Sequence, residues 1–422
     1  MDRGRRKRWT KTLRQQAAAA GRETPDVAKL ARQQAVARAR GLVRETDAET
    51  LADVVALAQI PAPPFGEAPR AAWMADRLRE LGLDDVAIDD VGNVLARVPA
   101  NGANAAPPLL LAAHLDTVFP EDTPIRVRRD GGRLIAPGIA DNARGLAALL
   151  ATARALVGAR IRTRRPLVLA ATVGEEGVGD LRGVKHLFRE GSPFRHAAGF
   201  ITLDGTGRRR IVNRAVGSRR LRVTLGGPGG HSWADWGLPN PVDALGIAVA
   251  ELARLERPNR RTALTVGRIG GGTSVNAIPE QAWLELDLRG ESAEALAELE
   301  ASVRTVLTRA REEVEDRRRR GTPGLRLDIE LIGDRPTGET PAGSRIVGVA
   351  RAATRFIGET PELVASSTDA NVPIALGIPA IALGAGGESG GTHTMEEWYS
   401  NDGGPKGIER VLLIALALTG IE

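Results

Sequence analysis

The feature that most constrains this chain is an apolar run, Leu109-Leu110-Leu111-Ala112-Ala113, bounded by prolines and ending in His114-Leu115-Asp116. A run without alternation reads as a strand buried on both faces, the kind found inside a parallel sheet. Such strands carry polar groups at their C-terminal tips, where open α/β sheets place their sites. Further on, Gly138-Ile139-Ala140-Asp141-Asn142 precedes a small-residue helix through Gly145, Leu146, Ala147, Leu149 and Leu150, so Asp141 falls in the loop entering that helix. An imidazole and two carboxylates at element ends suit a metal ion. A plainer reading stands beside it, with His114 and Asp116 as a hydrogen-bonded pair and Asp141-Asn142 as an N-cap.

At 422 residues, the chain is long enough for two or three domains. Residues 1–45 are basic, rich in Ala and Gln and short of large apolar side chains. They lack the apolar segment of an export signal, so Arg5-Arg6 is not read as one, and a solvated helical extension is expected. From 46 to 216 the pattern predicts helices at Thr50–Ala58 and Ala68–Leu81, the strands Val86–Ile88, Val94–Val98 and Leu109–Ala113, a helix at Gly145–Leu156, and the strands Leu167–Val173 and Phe200–Leu203. Alternating helices and apolar strands make an α/β sheet covered by helices. Residues 217–333 read strand, helix, strand, strand, helix, strand, the order of a ferredoxin-like βαββαβ sandwich inserted into the first fold. The α/β pattern resumes over 334–422. No run of about 18 apolar residues occurs, so no membrane span is predicted.

The chain has no cysteine, so any metal ligand is a His, Asp or Glu. The strand Leu167–Val173 ends in Gly174-Glu175-Glu176-Gly177, the strand Phe200–Leu203 in Asp204-Gly205, and Gly391-Thr392-His393-Thr394 follows the last strand. Each places a hard or borderline ligand at a loop, and such ligands suit zinc, cobalt or manganese. A catalytic zinc takes about three protein ligands, and two metals about 3.5 to 4 Å apart can share a carboxylate. Other features read as ordinary. Gly226-Gly227-Pro228-Gly229-Gly230 lacks the Gly-Lys-Ser/Thr of a nucleotide cradle. His186 and His196 match nothing, Arg317 to Arg320 close a long helix where cations are favoured, and Trp233, Trp236 and Trp283 are read as packing. The net charge of +6 is largely arginine in these basic stretches, and no nucleic-acid partner is expected.

The set His114-x-Asp116-Thr117-Val118, Gly138-x-x-Asp141-Asn142, Glu175-Glu176-Gly177, Asp204-Gly205, Gly229-Gly230-His231-Ser232 and His393-Thr394 resembles the co-catalytic zinc metallopeptidase family that includes tripeptidase T, carboxypeptidase G, aminoacylases and desuccinylases of diaminopimelate synthesis. The resemblance runs from about Thr46 onward, with the motifs in family order. It implies a zinc-peptidase mixed sheet sandwiched by helices, with the inserted domain as lid and dimerisation element. It also implies two divalent ions, zinc with cobalt or manganese as alternatives. Asp141 is then the bridge, His114 and Asp204 complete one site, and Glu176 and His393 the other. Glu175 becomes the general base and Asp116 the residue that holds the His114 imidazole.

By the same resemblance His231 reaches a partner subunit's site to stabilise the oxyanion, Asn276 contacts substrate, and Arg289 binds a substrate carboxylate. Relatives often carry a second acid and a lysine where this chain has Asn142 and Arg144, a difference that bears on substrate preference. The stretches Gly333 to Gly338, Ser366 to Asn371 and Gly377-Ile378-Pro379 look nearer to tripeptidase T-like members. The expectation is a cytoplasmic homodimeric di- or tripeptidase. Its alternatives are an N-acyl amino acid amidohydrolase and a non-catalytic peptide- or metal-binding homologue.

Overall fold

The computed structural model describes residues 26–99, 106–256 and 261–422. They form two compact units, one built from the chain up to Arg214 and from Glu339 to Glu422, the other from Ala215 to Gly338.

In the first unit, α1 (Val27–Ala31) and α2 (Gln34–Glu45) precede α3 (Asp47–Ala58) and α4 (Ala68–Glu80). The expected solvated extension is corrected here. Val27, Ala31, Val36, Ala39 and Val43 are buried in the main hydrophobic core. Small Val and Ala side chains at helical spacing let α2 lie close against the apolar C-terminal helix, whose Glu409 pairs with Arg40 at 2.5 Å and Arg44 at 3.1 Å. Arg5-Arg6 and the rest of 1–25 lie outside the described residues.

The strands β1 (Asp84–Ile88), β2 (Val94–Arg97) and β3 (Leu109–His114) follow, then the short β4 (Arg128–Asp130) and β5 (Arg133–Ile135). Next come α5 (Arg144–Gly158), β6 (Leu167–Thr172), α6 (Arg182–Leu187), β7 (Gly199–Leu203) and β8 (Arg210–Ala215). Every residue of β3 and β6 is buried, as their unbroken apolar runs require. α5 is buried all round from Arg144 to Ala153, which only a small-residue helix allows. Its start is close-packed, since a Cβ on Gly145 would stand 2.0 Å from Asn142 Oδ1.

The second unit contains β9 (Gly217–Gly226), β10 (Gly230–His231), α7 (Pro241–Arg254), β11 (Thr262–Gly271), β12 (Ala277–Ile278), β13 (Gln281–Gly290), α8 (Ala293–Asp316) and β14 (Arg326–Arg335). Four of these strands form an antiparallel sheet in the order β11-β13-β9-β14. Alternate residues such as Leu221, Val223 and Leu225 face Leu299, Val303 and Leu307 of α8 in a core of the unit's own. Two tryptophans do not pack as expected. Trp233 and Trp236 are 86% and 82% exposed, because they occupy the turn after β10 instead of the inner face of an element. Trp283 is half-buried, with the Arg222 and Arg268 guanidinium groups 3.9 and 5.4 Å from its ring centre.

The chain then returns through β15 (Gly338–Glu339), α9 (Arg345–Phe356), β16 (Glu362–Ser366), α10 (Asn371–Ala375), β17 (Ala380–Leu383), β18 (Glu388–Gly390), β19 (Trp398–Ser400) and α11 (Gly404–Thr419). The large sheet runs β1-β2-β6-β3-β7-β17-β8-β15, with β16 beside β8. Its centre, β6-β3-β7-β17, is parallel, and β2 and β8 flank it antiparallel, so the sheet is mixed. From β3 the chain crosses to β6 on one side and then to β7 on the other. That reversal leaves a crevice at the C-terminal tip of β3, the usual ligand position in such sheets. No described helix is long and apolar enough to cross a membrane.

Candidate metal centre

His114 ends β3 and is 1% exposed. Its Nδ1–H donates to the Asp116 carbonyl at 3.0 Å, with Asp116 Oδ1 at 3.6 Å. That bond places the neutral ring's proton on Nδ1 and leaves Nε2 as the atom able to ligate a metal. Nε2 points into the crevice, 3.0 Å from Asp141 Oδ1. Asp116, fully buried, does more than steady this imidazole. Its Oδ1 accepts the Glu175 N–H at 2.9 Å and its Oδ2 the Glu176 N–H at 2.7 Å, which sets the acid pair after β6.

Asp141 meets a second imidazole. Its Oδ2 lies 3.3 Å from His393 Nε2, and the same nitrogen lies 3.0 Å from Glu176 Oε1. The two oxygens of one carboxylate therefore face two different histidines. Ligand atoms of His114, Asp141 and Glu176 all fall within 4.8 Å of one another. Donors about 2.0–2.1 Å from a shared tetrahedral ion stand about 3.3 Å apart, so the 3.0 and 3.3 Å separations here suit donors converging on a metal. Mixed imidazole and carboxylate donors fit zinc, cobalt or manganese.

The charges agree with the geometry. Burial would raise the Asp141 carboxyl, but hydrogen bonds from His114 and His393 hold it well below the usual carboxylate range. Hydrogen bonds to Asp141 and Glu176 push His393 up to about 10, and His114 rises despite its burial through Asp116 and Asp141. Asp204, just past β7, is pushed up to about 7 by burial and then by the Asp141 charge. The carboxylates are crowded around two imidazoles, a setting in which a divalent ion would supply the balancing positive charge.

The first unit thus brings together His114, Asp116, Asp141, Glu175, Glu176 and His393, with Asp204 electrostatically linked to them. Asn142 and Arg144 are structural. Asn142 Nδ2 donates to the Leu203 carbonyl at 2.8 Å, and Arg144, fully buried, donates to the carbonyls of Ala385 and Gly404. A residue passed over in the sequence is Glu397, fully buried, whose carboxylate accepts N–H groups from the Asp141 loop. Its signal was weak, because Glu396 beside it is equally acidic but exposed and paired with Arg128.

His231, Asn276 and Arg289 belong to the second unit. β10 pairs with β12, opposing His231 to Ala277, and the Ser232 N–H donates to the Asn276 carbonyl at 3.0 Å. His231 Nδ1 accepts the N–H groups of Trp233 and Ala234 at 3.1 and 3.3 Å, so the neutral ring carries its proton on Nε2. The Asn276 side chain accepts from the Ser274 hydroxyl at 2.6 Å. Arg289 is engaged locally, its Nε donating to Asp287 at 2.7 Å.

Residues 110–417 match the model of a family described as peptidase family M20/M25/M40. The cytosol non-specific dipeptidase of Escherichia coli K12 is 29% identical over 282 residues, or 60% of this chain and 56% of that protein. The chain therefore aligns with a little over half of that relative's length. Among solved structures, aminopeptidase PepT from Bacillus cereus has a TM-score of 0.69 at 24% identity, covering 87% of this chain and 98% of that one. A tripeptidase from Staphylococcus aureus Mu50 has a TM-score of 0.72 at 20% identity, covering 88% and 98%. These two likenesses concern the fold.

Proposed function

Because the chain belongs to peptidase family M20/M25/M40, a family of metal-dependent hydrolases, we propose that it cleaves a peptide or amide bond next to a free carboxylate in a small substrate, as a di- or tripeptidase using two divalent ions. The observation that carries this reading is the placement of Asp141, one oxygen toward His114 and the other toward His393 and Glu176. In this reading Asp141 would bridge the two ions, His114 and Asp204 would hold one of them, and Glu176 and His393 the other. The ions, zinc, cobalt or manganese by the chemistry of the donors, would supply Lewis-acid polarisation of the carbonyl and acidify water. Glu175 takes the proton from the attacking water and returns it to the leaving amine. Asp116 keeps both acids and the His114 ring in place. His231 donates its Nε2–H to the oxyanion, with Asn276 and Arg289 holding the rest of the substrate.

The second unit is proposed as lid and dimerisation element. Its edge strands β11 and β14 expose Ile269, Leu331 and Ile332, apolar surface that a symmetric partner can cover. The cytosolic dipeptidase relative supports a peptide substrate and a cytoplasmic setting. The test is a panel of di- and tripeptides against N-acetyl and N-succinyl amino acids, each with zinc, cobalt or manganese added. Metal-dependent turnover highest on the peptides is expected. Preference for the acylated amino acids would make the chain an amidohydrolase, and no metal-dependent hydrolysis of any of them would overturn the reading.

A further inference from the structure

The loop that carries Asp141 cannot satisfy its own backbone. Gly138 enters it with φ +69°, in the left-handed region, and Asp141 and Asn142 depart from helical geometry. The N–H groups of Gly138, Ala140 and Asp141 are consequently left without helical partners. Glu397 accepts all three. Its Oε2 receives the Gly138 N–H at 3.2 Å, and its Oε1 receives those of Ala140 at 2.8 Å and Asp141 at 2.9 Å. The Glu397 main chain is tied as well, its carbonyl accepting the Ala136 N–H at 2.9 Å and its own N–H donating to Thr394 at 3.2 Å.

This clamp is joined to the metal centre by a very short path. Glu397 follows His393 by four residues, so one segment presents an imidazole to the Asp141 side chain and a carboxylate to the Asp141 backbone. Both Glu397 oxygens are occupied as acceptors by this one loop, Oε1 by two N–H groups and Oε2 by the third, so moving the carboxylate unties all three at once. We propose that Glu397 is the positioning residue for the bridging carboxylate: it sets the main chain of Asp141 so that its two oxygens stay divided between His114 and His393. The inference rests on the reading of Asp141 as a bridge. Shifting this backbone then weakens both metal sites together, unlike the loss of a ligand confined to one site.

The test compares the wild-type chain with Glu397→Gln, Glu397→Asp and Glu396→Gln, starting from the metal-free proteins. Zinc affinity is measured by competition with a chromophoric chelator, metal-free stability by thermal melting, and ligand geometry by the visible spectrum of the cobalt-loaded forms. Glu397→Gln keeps the shape but offers an amide N–H₂ where an acceptor is needed. It should weaken both zinc constants by about 10- to 100-fold, the usual effect of losing a partner that orients a ligand, and alter the cobalt spectrum. Glu397→Asp keeps the charge and should recover part of the affinity, which preserves the test if the glutamine variant does not fold. Glu396→Gln should match wild type.

A Glu397 variant with a lower melting temperature but unchanged zinc constants and cobalt spectrum would make the residue a loop anchor and overturn the proposal. Weakening of one site alone would also overturn it. Failure of the bridge reading shows separately, in the wild type: if that protein binds a single zinc, the bridge is wrong, while a weaker single constant in Glu397→Gln still supports the clamp on Asp141.

Discussion

Asp116 and Glu176 are joined through the main chain, the aspartate Oδ2 accepting the Glu176 N–H at 2.7 Å. Its Oδ1 takes the Glu175 N–H and its main-chain carbonyl the His114 Nδ1–H at 3.0 Å, so one buried residue holds groups from two neighbouring strands of the sheet. An amide at this position has one acceptor for two N–H donors. Asp116→Asn is expected to lower zinc affinity about 10- to 100-fold and to reduce turnover more than the metal loss alone explains, since Glu175 shifts as well. Zinc titration and turnover at saturating zinc separate the two effects; full activity at saturating zinc would limit Asp116 to holding His114.

Glu175 should behave differently from its neighbour Glu176. The proposed role, a base that is not a ligand, predicts that Glu175→Ala keeps both ions while turnover falls by about 10²-fold or more. Elemental analysis of the purified variant, read beside its rate, checks this. Near-normal turnover in the fully loaded variant would remove Glu175 from the mechanism.

His231 is held by the Trp233 and Ala234 N–H groups with Nε2 as its donor, a preparation suited to stabilising negative charge. His231→Ala should keep both metals and lose about 10²- to 10³-fold in turnover, the usual effect of removing one oxyanion donor. If the donation crosses subunits, mixing this variant with Glu175→Ala under subunit exchange restores part of the activity. Proven exchange without recovery would confine His231 to its own chain or exclude it.

The part of the site that was legible in the sequence is the part encoded locally. An apolar run ending in His114-x-Asp116, an acid pair after Val173 and an aspartate after Leu203 announce polar groups at strand tips, and the strands Leu109–His114, Leu167–Thr172 and Gly199–Leu203 deliver them there. Glu397 was not legible because its role depends on a contact with Asp141, 256 positions away, and nothing local distinguishes it from exposed Glu396. The second task of Asp116 was hidden for the same reason, since its partners are backbone N–H groups and not side chains. Residues 26–45 looked solvated because their apolar stripe is mostly Val and Ala, with Leu30 and Leu42 its only large members, too weak to signal burial until the apolar α11 lies against it.

The central claim is that Asp141 serves two ions and Asp204 one. Counting bound zinc per chain by elemental analysis in Asp141→Ala and Asp204→Ala, with circular dichroism to confirm that both are folded, tests it most directly. Loss of both ions in Asp141→Ala with about one retained in Asp204→Ala is predicted, because only a bridging ligand is shared; equal loss in the two folded variants would contradict it.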